Sequence, residues 1–187
     1  MTTFVAYRVR MAAPLIARLL LDAQDEFLRA ADAVPTSGRN ERVGHLNAAG
    51  WVVAHAGFFH DVWINVDGRG RTVEECEPWL RAWIRRQDAS RGVPVDAGFD
   101  EARAAVGRVV ERATPFIESL TDEALHEVPA FEEGAWGPGT TLGYLVARDI
   151  AHLFAHASEL VAIATAAGGS DIGLPGRMSH TSGKEGS

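Results

Sequence analysis

Four stretches of the chain carry apolar residues at three- and four-residue spacing over several turns, and none alternates apolar with polar in the two-residue period of a strand. A chain patterned this way buries its apolar stripes by packing helix on helix. The first stretch runs from about residue 13 to residue 33, with Leu15, Ile16, Leu19, Leu20, Ala23, Phe27 and Ala30 in register, and "VPTSGRN" ends it. The second, about 47–66, reads "AAGWVVAHAGFFHDVWINV" after Asn47, is apolar in nearly every direction and stops at "DGRGR". The third begins near Asp100 and lines up Val106, Val109, Val110, Ala113, Phe116, Ile117 and Leu120 despite Pro115. Thr140 or Thr141 caps the fourth, which continues to Gly168 and Gly169.

Between the second and third stretches, Thr72 and Glu75 have capping-box spacing, and Pro78 starts a short helix that carries Trp79 and Trp83. The expected fold is therefore all-α: a four-helix bundle with a short extra helix between helices 2 and 3. Up-and-down packing is the natural arrangement, with connections long enough for a crossover. Residues 1–169 form the expected domain, and 170–187 read as a polar, flexible tail.

Composition removes several classes of function. With 18 Lys and Arg against 25 Asp and Glu, the net charge of −7 offers no basic footprint for nucleic acid or for an anionic membrane surface. No apolar run approaches the ~20 residues of a membrane span. The single cysteine, Cys76, cannot make an internal disulfide, which suits a reducing, cytoplasmic compartment, and no catalytic motif surrounds it. Glu123 and His126 match the E-x-x-H of di-iron bundles, but such sites need the motif on two helices and it occurs once.

The histidines point to chemistry. His152 and His156 are four residues apart in the fourth helix, so their rings lie on one face and can share an ion. Helix 2 offers His55, among small apolar neighbours, and His60, about 140° around the helix from it. One of these with the helix-4 pair would make a three-imidazole site with a position open for water or substrate. His45 stands at the entry to helix 2, His126 in a loop-rich segment and His180 in the tail.

"AGWVVAHAGFFHDVWIN" resembles the second helix of the DinB-like superfamily of bacterial four-helix bundles, in which a Trp precedes the first metal-binding histidine by one turn. "HLFAHASEL" resembles that family's fourth-helix signature, H-x-x-x-H-x-G-Q-[LI], and "SLTDEALHEVP" its approach to that helix. The resemblance implies that His55, His152 and His156 hold a zinc, nickel or similar divalent ion, with His60 outside that set. Ser158 and Glu159 stand where glycine and glutamine are usual.

Around these residues, Asp149 precedes His152 by three positions and is expected to orient it; Glu159 is a candidate fourth ligand, orienting partner or general base. Arg148, one turn before His152, is a candidate for holding a substrate carboxylate, and Trp79 for lining the pocket mouth. The family resemblance further implies thiol chemistry on a small-molecule substrate, S-transfer or isomerisation with bacillithiol, mycothiol or glutathione, and a homodimer. The alternatives are hydrolysis by metal-bound water, with Glu159 or Asp149 as base, and a non-catalytic metal-binding protein.

Overall fold

The computed structural model describes residues 13–86, 97–131 and 136–169, together with Ile172. His180 and nearly all of the expected tail lie outside the described residues. Four long helices match the four periodic stretches: α1 (Leu15–Asp32), α3 (Ala49–His60), α5 (Phe99–Glu118) and α7 (Leu142–Ala166). Three short ones sit between them: α2 (Thr36–Arg39), α4 (Pro78–Ile84) and α6 (Asp122–Leu125). Among the described residues there is no strand.

Local chemistry sets the boundaries. Thr141 caps α7 by accepting the backbone N–H of Tyr144 at 3.2 Å. The Thr72 N–H donates to the Glu75 carboxylate at 3.3 Å, as a capping box should, and Pro78 opens α4. Past His60, α3 widens into a π-helical segment, Asp61–Val66, that no sequence signal announces. Buried Asp61 anchors that segment: it accepts from Asn65 Nδ2 at 2.8 Å, from the Glu77 backbone N–H at 2.6 Å and from the Arg112 guanidinium.

The topology departs from simple up-and-down packing. Asp32 at the end of α1 takes a bidentate pair from Arg103 near the start of α5, at 2.7 and 2.9 Å, so these helices are antiparallel. Ser37, just past α1, donates to the Ala167 carbonyl just past α7, so α1 and α7 are parallel. Asn47 before α3 meets Glu159 late in α7, which makes that pair antiparallel. Gly50 abuts Ala97 while Gly68 abuts Phe116, which makes α3 and α5 parallel. The order of directions is up-down-down-up, with α1 and α3 across the diagonal. The stretch from residue 67 to residue 98 is long enough to return the chain to the end where α3 began.

The helix that is apolar all round is buried except along the partly exposed stripe of Trp51, His55 and Phe59. Val52, Val53, Ala54, Ala56 and Ile64 have no exposed surface, and Leu80 and Trp83 of α4, also fully buried, supply part of their cover. The chain itself thus covers most of the apolar excess of α3.

The parallel α3–α5 contact depends on glycine. A methyl group on Gly50 would lie 2.1 Å from the Ala97 carbonyl oxygen, and one on Gly57 would lie 2.2 Å from Val106 Cγ2. The first obstacle is backbone and the second is one side-chain methyl. Gly50→Ala is expected to destabilise the protein by roughly 1–3 kcal/mol and Gly57→Ala by less, as measured by urea unfolding. Equal stability of Gly50→Ala and wild type would show that the helices can separate without cost.

Candidate metal centre

Two stripes at four-residue spacing face each other across the antiparallel α3–α7 seam. On α3, Asn47 leads into Trp51, His55, Phe59 and Trp63; on α7 the series is Tyr144, Arg148, His152 and His156. Because the helices run in opposite directions, His55 meets both α7 histidines. Ring centroids are 5.3 Å apart for His55–His152, 5.0 Å for His55–His156 and 4.5 Å for His152–His156. One nitrogen from each ring lies within 4.8 Å of the other two. Trp51 stacks on His55 at 4.7 Å with planes 15° apart, and Phe59 closes its other side at 4.9 Å.

The environment keeps two of these imidazoles, His55 and His152, neutral. Burial pushes His55 down to about 4, with His156 adding to the shift and Glu159 opposing it. Burial likewise pushes His152 down to about 3, helped by His156, His55, Arg148 and His60. Neutral nitrogens have lone pairs to give, and protons compete little for them near pH 7.

His156 is oriented by a carboxylate. Its Nδ1–H donates to Glu159 Oε2 at 3.0 Å, which leaves Nε2 with the lone pair. The other carboxylate oxygen accepts from Asn47 Nδ2 at 3.0 Å. Of the forces on Glu159, the His156 hydrogen bond is the largest; with Asn47 it holds the carboxyl below its usual range against the opposing effect of burial. His152 Nδ1 is buried without a hydrogen-bond partner, a demand that an ion or an enclosed water would meet. Three converging imidazoles, one oriented by a carboxylate and one with an orphaned nitrogen, fit a divalent cation.

Asp149 does not serve His152 as expected. It is fully buried and its Oδ2 lies 2.5 Å from His60 Nδ1, on α3. The Gln24 amide of α1 donates to His60 Nε2 at 2.7 Å, so the proton sits on Nδ1 and points at Asp149. His60 is outside the triad, buried at 1% exposure and hydrogen-bonded through both ring nitrogens. Three residues of helical offset turn Asp149 toward the bundle interior, while His152 stays in the seam.

Trp79 makes no ring contact with the triad among the described residues; Trp83, the buried α4 indole, meets Trp51 edge-on at 6.4 Å instead. Arg148 is exposed, with its guanidinium 5.0 Å from the Trp63 ring and 5.5 Å from that of Trp136. Sequence reasoning misses Asn47, Gln24, Trp63 and Trp136 as parts of the site. Asn47 had a signal, being two turns before His55 on the same stripe, and Gln24 is a polar position within the apolar face of α1.

The depressed imidazoles fix the sign of an acid effect. Unfolded histidines take up protons near their ordinary value of about 6.5, whereas His55 and His152 refuse them until about 4 and about 3. Their contribution is complete above that unfolded value and is lost as pH falls through the window below it. The metal-free protein should therefore melt at lower temperature as pH drops from about 7.5 to about 4.5. His55→Gln should have a shallower slope, and identical slopes in calorimetry would contradict the depressed values.

The DinB superfamily model matches residues 19–160, more than half of the chain and inclusive of all three histidines and Glu159. No curated protein and no solved structure matches the chain. With its four long helices, its up-down-down-up course and its histidines gathered in the α3–α7 seam, the chain belongs to the DinB superfamily.

Proposed function

We propose that this protein is a divalent-metal-dependent enzyme, with zinc or nickel at the triad, that joins a low-molecular-weight thiol to a small molecule or uses it to isomerise one. The observation that carries the proposal is the convergence of three imidazoles in a partly open seam. His55, His152 and His156 would hold the ion. When bound, a divalent cation lowers the pKa of a coordinated thiol, so that thiolate is present at neutral pH.

The chain's own residues supply orientation and shelter. Glu159 fixes the tautomer of His156, and Asn47 holds Glu159 in place. Trp51 pins the His55 ring by stacking, while Phe59 and Trp63 approach His152 at 5.6 and 4.9 Å and exclude water from its flank. Hydrolysis is less well supported, because it needs a carboxylate free to take a proton. Glu159 already accepts from His156 and Asn47, and Asp149 faces His60. A homodimer in a reducing cytoplasm belongs to the same proposal.

Untagged protein purified without chelator should contain about one zinc or nickel per chain, and His152→Ala should contain almost none. A model electrophile such as an epoxide should be consumed only when glutathione, bacillithiol or mycothiol is added. Consumption without thiol would favour hydrolysis, and metal binding without turnover would favour a non-catalytic role. Glu159→Ala should weaken zinc binding roughly 10–100-fold. Glu159→Gln should weaken it less, since the amide oxygen still accepts the His156 proton, and equal losses would contradict the orienting role.

A further inference from the structure

Most arginines among the described residues are paired with carboxylates. Arg29 meets Glu26, Arg39 meets Asp100, Arg103 meets Asp32 and Arg108 meets Glu77. Arg148 has no ion pair or hydrogen bond among the described residues, and it is exposed. Its guanidinium lies instead in the corner of two indoles, Trp63 at 5.0 Å and Trp136 at 5.5 Å, whose planes stand 68° apart.

That corner is built. Trp63 is 6% exposed, and Trp136 is pinned by its Nε1–H donating to Asp67 Oδ2 at 2.7 Å. Cation–π attraction to both rings holds the guanidinium in place and uses none of its N–H donors. Arg148 is also one turn from His152, a rise of about 6 Å along α7, and Trp63 touches both. A preorganised cation with unused planar donors thus borders the triad.

We propose that Arg148 is the carboxylate-binding residue of the substrate site, so that a small substrate docks its carboxylate there and extends its reacting end toward His152. The inference rests on the triad being the reaction centre. A planar carboxylate matches both the fork and the single charge of one guanidinium, whereas a phosphate monoester dianion would leave charge uncompensated. The flanking indoles favour an apolar body between carboxylate and reacting atom.

The test titrates the protein, metal-free and zinc-loaded, with benzoate against benzamide and with succinate against succinamide, by calorimetry and tryptophan fluorescence. In at least one of the two forms, the carboxylates should bind tenfold or more tightly than their amides. Arg148→Gln should abolish that preference while leaving zinc uptake and melting temperature unchanged. No preference in the wild type, or a preference that survives in Arg148→Gln, overturns the inference. Zinc uptake is read separately: if the triad takes up no zinc, the proposed function fails on its own. If zinc binds and the carboxylates show no preference, only the role of Arg148 fails.

Discussion

Everything at the candidate site depends on the register of α3 against α7. Sliding one helix past the other by a single turn, about 5.4 Å, would set His55 against the wrong rung of the opposing stripe. Two polar contacts fix that register at different heights. Asn47 and His156 meet on Glu159 toward one end, and His60 meets Asp149 in the interior. Both contacts join α3 or its entry to α7, so neither can form if the helices slip.

The interior contact extends to a third helix through Gln24 of α1. Burying a carboxylate and an imidazole is costly, and such groups gain little over well-packed apolar residues of the same size. Their effect lies in what they penalise: any alternative packing leaves a charged or polar group in the core without a partner. Asp149 Oδ1 remains without a partner one turn from the equally orphaned His152 Nδ1.

The long helices, the capping of α7 by Thr141, the start of α4 at Pro78 and the His152–His156 pair were legible in the sequence because each rests on local spacing. Four-residue steps state which side chains share a face, and the resemblance selected His55 over His60. What spacing does not state is which helix lies opposite. The diagonal placement of α1 and α3, the partnership of Asp149 with His60 and the packing of Trp83 against Trp51 all follow from tertiary packing between segments far apart in the chain. The π-helical turn after His60 is likewise invisible locally, since it is anchored by Arg112 and the Glu77 backbone from other segments.

The same packing restricts which groups remain chemically available. Cys76, the chain's one thiol, is 2% exposed, and burial pushes it up to about 12, so it offers no thiolate near pH 7. The carboxylates closest to the triad are engaged by His156, Asn47 and His60. Among the described residues, the groups left open along the seam are the triad nitrogens and the exposed Arg148 guanidinium, which suit a cation and an anion respectively. With no free thiolate or unengaged carboxylate among them, the proposed reaction would draw on a nucleophile brought by the ligand.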